Sequence, residues 1–235
     1  MPKAEKDKVM IAEHVLEVRH GASGTFLDLR GSIADYIRTS GFFPHWRIDA
    51  NVINFQDDPN TIKTEAAFVG YKSAGYVVLN PQTHNFLTDR ASSFWKLLIK
   101  NDHYKIPQPT RFGTRTMVFI PSRKSFEEIN KAMFEAFLTE KARSLLGGKE
   151  IDFRITVDSK EDVYDVRVVG GPVHKEEAKR YFQFDSEHFK QCGLFLDIDY
   201  YKTDELSMDS IPKLLKRSVD LMWEKAERIA TGIGL

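Results

Sequence analysis

The stretch 111–148 constrains the fold of this chain most, because a strand pattern there leads directly into a capped helix pattern. Odd- and even-numbered residues of 111–120 fall on different faces of a predicted strand. Ser125 and Glu128 have the spacing of a capping box, which satisfies backbone N–H groups at a helix N-terminus. A helix is therefore predicted over 125–146, with an apolar stripe that should pack in the core: Phe126, Ile129, Met133 and Phe137.

The same order of patterns precedes this stretch, so the chain divides into two similar halves. Each half reads strand, helix, about four strands, helix, and the proline-containing segment 101–110 separates them. The strand candidates of the first half include 13–20, 46–55 and 84–88, and those of the second include 150–158, 163–169, 180–184 and 192–201. We predict an α+β fold of two pseudo-repeats that form antiparallel sheets with helices on one face. The predicted organisation is a flexible N-terminal tail over 1–10, a first α+β repeat over 11–110 and a second over 111–235.

A strand–helix–four-strand–helix unit used twice is similar to the order found in folds that resemble the TATA-binding protein. That resemblance implies a continuous curved sheet with helices covering one face, and it is topological, so it does not define a function. The rival interpretation is a pair of ferredoxin-like units, which need fewer strands in each half.

The whole chain also resembles an uncharacterised, sporadically distributed bacterial protein family. The residues that carry this resemblance are Val15-Leu-Glu-Val-Arg19, Trp95, Arg111-Phe-Gly-Thr-Arg115 with Ile120, and Leu194-Phe-Leu-Asp-Ile-Asp199. The chain departs from the family where an aromatic residue and an asparagine usually follow the second arginine, since it has Thr116 and Val118 there. The family has no agreed activity, so the resemblance bears on the fold.

Composition narrows the classes of function. Lysine and arginine equal aspartate and glutamate at 34 each, whereas a dedicated duplex-DNA-binding protein usually has a basic excess. The single cysteine, Cys192, fits a reducing compartment. No signal-peptide pattern and no apolar run long enough for a membrane span is seen. We therefore expect a cytoplasmic protein without a cofactor and without a membrane partner.

Charged residues on predicted strands are the main candidates for a binding face. Asp197 and Asp199 share one face of 194–201, and the neighbouring strands offer Arg111, Arg115, Arg154 and Arg167. Three interpretations stay open: cross-strand ion pairs on a solvated face, a surface for a ligand or partner, or a Mg²⁺ site built on Asp197 and Asp199. We expect Arg115 to pair with one of the two aspartates and so to fix the register of the strands.

A second candidate for a binding site is the basic segment 100–124. It contains six basic residues and one aspartate, which gives a net charge of +5. Basic and aromatic side chains together can bind single-stranded nucleic acid. The residues expected to contact nucleic acid are Lys100, Lys105, Arg123 and Lys124.

No glycine loop for phosphate, no serine nucleophile motif and no histidine pair at metal-ligand spacing is present. The sequence therefore favours a non-catalytic binding or assembly subunit that recognises a protein or ligand partner, or another copy of itself. The alternatives are a nucleic-acid-binding protein and a metal-dependent phosphodiesterase or nuclease that uses Asp197 and Asp199.

Overall fold

The computed structural model describes residues 10–57, 60, 63–148 and 151–235. The predicted tail over 1–10 lies outside these ranges except for its last residue. The described residues form helices and one antiparallel sheet, which confirms the predicted α+β class.

The six α-helices of the described residues are α1 (Gly24–Thr39), α2 (Phe86–Ile99), α3 (Phe126–Phe137), α4 (Glu140–Leu146), α5 (Lys175–Tyr181) and α6 (Ile211–Gly232), and a short 3₁₀-helix, Met208–Ser210, precedes α6. The nine strands found there are β1 (Ile11–His20), β2 (His45–Ile48), β3 (Val52–Gln56), β4 (Glu65–Gly70), β5 (Ser73–Leu79), β6 (Pro109–Pro121), β7 (Ile155–Glu161), β8 (Tyr164–His174) and β9 (Cys192–Lys202).

The strands pair in the order β2-β3-β4-β5-β1-β6-β9-β8-β7, and every neighbouring pair is antiparallel. The centre of the sheet is the β1–β6 pair, which runs from Ile11 opposite Phe119 to His20 opposite Pro109. Because β1 and β6 open the two halves of the chain, both halves contribute to one continuous sheet.

The main core joins one face of this sheet to buried residues of helices α1, α2, α3 and α6. On the neighbouring strands β1, β6 and β9, Leu16, Val118 and Leu196 point to this side, and all three are buried. The helices contribute buried residues to the same core, among them Ile33, Leu98, Met133 and Leu215. We call this side of the sheet the helix face and the other side the opposite face.

One end of the opposite face is covered by α5 and the segment that follows it. Phe119 and Phe195 alternate along their strands with residues of the main core, so they point away from it. They form a second apolar cluster with Ala178 and Phe182, and Tyr181 stacks on Phe195 with ring centroids 4.3 Å apart. The expected strand over 180–184 is therefore wrong, because its aromatic residues pack on this cluster from the end of a helix and a loop.

The start of α3 follows the sequence prediction, whereas its end does not. The Glu128 backbone N–H donates to Ser125 Oγ at 3.2 Å, and the Ser125 N–H donates to a Glu128 carboxylate oxygen at 2.7 Å. The helix predicted over 125–146 is divided at Leu138, which has extended backbone angles, so α4 begins anew. Met133 is fully buried, but the side chain of Phe137 stays 39% exposed, and the expectation that it packs in the core is wrong.

Further boundaries differ from the sequence prediction. Among the described residues, the strand expected over 150–158 begins only at Ile155, as β7. The strand expected over 46–55 is the hairpin of β2 and β3, because the chain turns between Ile48 and Val52. The short strand expected over 84–88 is a turn and the first residues of α2. Among the helices of the described residues, none combines the length and the apolar character needed to cross a membrane.

Candidate functional site

Charged residues of four neighbouring strands lie side by side on the opposite face. Arg115 of β6 is the register partner of Asp199 of β9, and Asp199 is also the partner of Arg167 of β8. Arg167 in turn faces Asp158 on β7. Positive and negative side chains therefore alternate across this part of the sheet.

A cavity of about 450 Å³ opens at this place. Val15, Gly113 and Val169 contribute small or apolar surface to its lining. The charged residues that line it define what we call the arginine cavity: Arg19, Arg111, Arg115 and Arg167 with Glu17, Asp197 and Asp199.

Three of these arginines are held by carboxylates. Arg115 donates through Nε and Nη2 to the two oxygens of Asp197, at 2.8 and 2.6 Å. Such a two-point contact fixes the plane of a guanidinium group as well as its position. The geometry is the one expected for Arg115 as a cross-strand ion pair.

The other two held arginines share Glu17. Arg19 donates from Nε to Glu17 Oε2 at 2.9 Å, and Arg111 Nη1 lies 3.8 Å from the same oxygen. Arg111 also donates from Nη2 to Asp199 Oδ2 at 3.1 Å. Glu17 therefore bridges two guanidinium groups, and Arg111 lies between two carboxylates.

Arg111 bends over the sheet because Gly113, two residues along β6, leaves room for it. A Cβ atom at Gly113 would collide with Arg111 Nη1. The guanidinium carbon of Arg111 lies 4.9 Å from the centroid of the Tyr201 ring, which is close enough for a cation–π contact. The glycine and the tyrosine thus set the position of the central arginine.

The carboxylates of the cavity lie deeper than most of the arginines. The Asp197 and Asp199 side chains are 20% and 27% exposed, whereas the Arg115 side chain is 52% exposed. Burial raises the pKa of the Asp199 carboxyl group against the opposing effect of Arg111. The hydrogen bonds to Asp197 raise the pKa of Arg115. The cavity therefore presents guanidinium groups to the solvent above a layer of carboxylates.

Arg167 has weaker contacts with carboxylates than the other three arginines of the cavity. Its Nη1 atom lies 3.8 Å from an oxygen of Asp158, beyond hydrogen-bonding distance, and both side chains are more than half exposed. In the part of the chain that the structure describes, no other ion pair or hydrogen bond of Arg167 is found. The guanidinium N–H groups of Arg167 are therefore free for another acceptor.

Arg154, the remaining arginine proposed from the sequence, is not part of the cavity. It precedes β7 and donates to Glu177 of α5 at 2.8 Å and to Asp152 at 3.3 Å. These contacts connect the chain before β7 to α5.

The basic residues proposed to contact nucleic acid are not brought together. Lys100 and Lys105 precede β6, whereas Arg123 and Lys124 follow it. The 13 residues of β6 span about 40 Å at the usual rise of a strand. Lys105 pairs with Asp102 at 2.8 Å, and Lys124 donates to the Ile233 carbonyl at 3.1 Å. Two of the four residues therefore lie near one end of β6 and two near the other end.

The alternative metal site places both of its carboxylates beside arginines. Asp197 accepts from Arg115 and Asp199 accepts from Arg111. Over the ranges that the structure describes, no group of three or more histidine, cysteine, aspartate or glutamate side chains has a metal-binding arrangement.

Four residues at the arginine cavity were not among those predicted from the sequence: Glu17, Arg19, Gly113 and Tyr201. The alternating pattern of the first predicted strand does place Glu17 and Arg19 on one face, together with Val15. What was missing was the pairing of β1 with β6, which places them beside Arg111.

Comparisons of the chain with protein-family models, with curated proteins and with solved structures find no match. The function therefore has to be inferred from the chemistry of the site.

Proposed function

We propose that this chain is a non-catalytic binding or assembly protein that recognises a protein or ligand partner through an anionic group at the arginine cavity. The observation that carries the proposal is the contrast between Arg167 and the other arginines. Arg19, Arg111 and Arg115 contact carboxylates of the cavity, and the guanidinium N–H groups of Arg167 donate no hydrogen bond to a described residue.

The charges of the cavity favour a ligand with one negative charge. Its four arginines and three carboxylates leave a formal charge of +1. Because each carboxylate of the lining already contacts an arginine, this positive charge lies at Arg167. The exposed Asp158 carboxylate outside the lining, 3.8 Å from Arg167, offsets part of it. A carboxylate or phosphate oxyanion matches the planar fork of a guanidinium group and can accept two hydrogen bonds from it.

The fixed position of the other arginines favours binding as well. A guanidinium group that is already held loses less conformational freedom when a ligand arrives. The cavity volume of about 450 Å³ lies within the usual range for ligand sites, which is roughly 300–1,000 Å³. Outward N–H groups of Arg115 and Arg19 would then supplement the contact with Arg167.

Titration with acetate and with inorganic phosphate, followed by NMR of the arginine Nε–Hε signals, tests this function. We expect saturable shifts of the Arg167 signal in the wild-type protein and no saturable change of the other cavity signals in Arg167→Ala. Arg38→Ala is the matched control, because Arg38 lies on the surface of α1 and pairs only with Asp35 among the described residues. Equal responses of the two variants would contradict the proposal.

A protein partner is tested by affinity purification with the same three proteins as bait. A partner that binds the cavity should be retained by the wild type and by Arg38→Ala and lost by Arg167→Ala. A partner that is retained to the same extent by all three baits binds the protein outside the arginine cavity.

We also infer that the two halves are pseudo-repeats of one unit, with the long helices on one side, as in TATA-binding-protein-like folds. From the centre of the sheet the strand order is β1-β5-β4-β3-β2 on one side and β6-β9-β8-β7 on the other. The two halves also share a hydrogen-bonded group. In the first half Tyr76 of β5 donates to Glu65, which also pairs with Arg90 of α2. In the second half Tyr200 of β9 donates to Glu161, which also pairs with Lys225 of α6. A superposition of β1 and β5 on β6 and β9 should also place α2 on α6, and a large displacement of α6 would refute the inference.

The cytoplasmic location and the relation to the bacterial family stay predictions from the sequence. Fractionation of the cells that produce the protein tests the location, since recovery with the membrane or the secreted fraction would exclude it.

A further inference from the structure

A second cavity, of about 570 Å³, lies on the helix face between α3, α6 and the β7–β8 edge of the sheet. We call it the trough, and its apolar lining includes Phe137, Ile155, Val157, Val168, Ile229 and Ile233. It is separate from the arginine cavity, because Val168 points to the helix face while Arg167 points to the opposite face.

The trough has a buried bottom and an open rim. Ile155, Val168 and Ile233 are 5–7% exposed, whereas Val157 and Phe137 are 44% and 39% exposed. The next helix along the chain does not close it, since α4 buries none of its residues. The exposed rim therefore offers apolar surface that a ligand can remove from water.

One side of the trough carries two cations of α6. Lys225 Nζ lies 2.7 Å from Glu161 Oε2, and Arg228 Nη2 lies 3.8 Å from Glu161 Oε1. Tyr200 donates its hydroxyl to the same carboxylate at 2.6 Å. Glu161 is thus bound by Lys225 and Tyr200, and the Arg228 guanidinium, whose side chain is 66% exposed, has no hydrogen bond to a described residue.

We infer that the trough binds a small amphiphile with one carboxylate and an aliphatic chain, of the fatty-acid type. The single carboxylate matches the one positive charge that remains beside Glu161, and Arg228 is the residue placed to receive it. The aliphatic chain then lies along the apolar lining, in a site of the usual size and mostly apolar character of ligand pockets.

Gly232 gives a way to block the trough without disturbing the fold. It lines the cavity at the end of α6, and a Cβ atom built there meets no atom within 4 Å. With decanoate as the probe in isothermal titration calorimetry, we expect binding to the wild type and a loss of at least about 10-fold in affinity in Gly232→Leu. Gly31→Leu is the matched control, because Gly31 also lies in a helix with no atom within 4 Å of an added Cβ and is remote from the trough lining.

The role of the charge is tested with Arg228→Gln. We expect this variant to bind decanoate about 10-fold more weakly than the wild type and to bind 1-decanol with unchanged affinity. Lys216→Gln, which changes an exposed cation of α6 outside the trough lining, should bind both probes like the wild type. Thermal unfolding of each variant verifies that the fold is retained.

Three results would overturn the inference. Equal affinity of the wild type and Gly232→Leu for decanoate would show that the trough is not the site. Equal affinity of the wild type for 1-decanol and decanoate would remove the carboxylate from the proposal. A dimer in light scattering that becomes a monomer in Gly232→Leu would mean that a second copy of the chain covers the trough. None of these measurements involves Arg167, so they are independent of the function proposed for the arginine cavity.

Discussion

Lowering the pH should destabilise the fold through His14. This residue lies on β1 and points into the helix face, where its side chain is 1% exposed. Its Nδ1 atom is 2.7 Å from Thr116 Oγ1, and its ring packs edge-on against Trp223 at 5.3 Å. Burial lowers the pKa of His14 to about 3, and the nearby His84 contributes in the same direction. The folded protein therefore keeps this imidazole neutral.

The pKa values give the sign and the size of the effect. A histidine whose pKa is lower in the folded than in the unfolded protein binds its proton mainly in the unfolded state. The stability that depends on the neutral ring is complete above about pH 6.5, the unperturbed value, and is lost as the pH falls from there towards the folded pKa of about 3. Between about pH 8 and pH 5.5 the expected loss is about 1.4 kcal/mol.

Urea unfolding at about pH 8 and pH 5.5 measures this loss, in a range where most carboxylates stay ionised. His14→Gln is the comparison, because glutamine can still bond to Thr116 but does not titrate. The free energy of unfolding of the wild type should fall between the two pH values by about 1.4 kcal/mol more than that of the variant. The lowered pKa of His20, also caused by burial, acts equally in both proteins. Parallel pH dependences of the wild type and His14→Gln would refute the reasoning.

Three further predictions concern packing and register. Met133→Ala should lower the free energy of unfolding by about 2–5 kcal/mol, because Met133 is fully buried. Phe137→Ala should lower it by clearly less, because Phe137 is 39% exposed, and equal losses in urea unfolding would contradict this. Gly75→Ala should cost about 1–3 kcal/mol, because its Cβ would collide with a backbone oxygen of β1, and an unchanged melting temperature would disprove that close approach. A double-mutant cycle of Arg115→Ala and Asp197→Asn should give a coupling energy of about 0.2–1 kcal/mol, the range for partly exposed pairs, and zero coupling would mean that the pair does not fix the register.

The local structure around the site could be predicted from the sequence, because the patterns that determine it involve residues only a few positions apart. The period of two along β6 and β9 placed Arg115, Asp197 and Asp199 on one face of their strands, and the capping box gave the start of α3. Each of these features depends on side chains that are close in the sequence, where periodicity is informative.

The pairing of the strands could not be predicted in the same way. Glu17 and Arg111 are about a hundred positions apart, and only the β1–β6 pair brings them together. Arg154 was assigned to the same polar face because it lay in the strand expected over 150–158. Among the described residues β7 begins only at Ile155, and Arg154 instead donates to Glu177 of α5. Long-range contacts of this kind depend on the packing of the whole sheet, which the local pattern does not contain.

The trough lies where the second half packs differently from the first. After α1 the chain turns at Gly41, whose φ is +77°, and Phe43 then packs fully buried against Phe55 and Phe94. After α3 the chain instead continues into α4, which buries none of its residues. If both halves derive from one unit, the second half lacks the aromatic filling that the first has. Apolar surface left in contact with water forgoes roughly 25 cal/mol for each Å² that could be buried, and departures from good packing are expected mainly at functional sites. A ligand with an aliphatic chain would restore the missing contacts, and this accounts for an apolar trough that the protein itself leaves open.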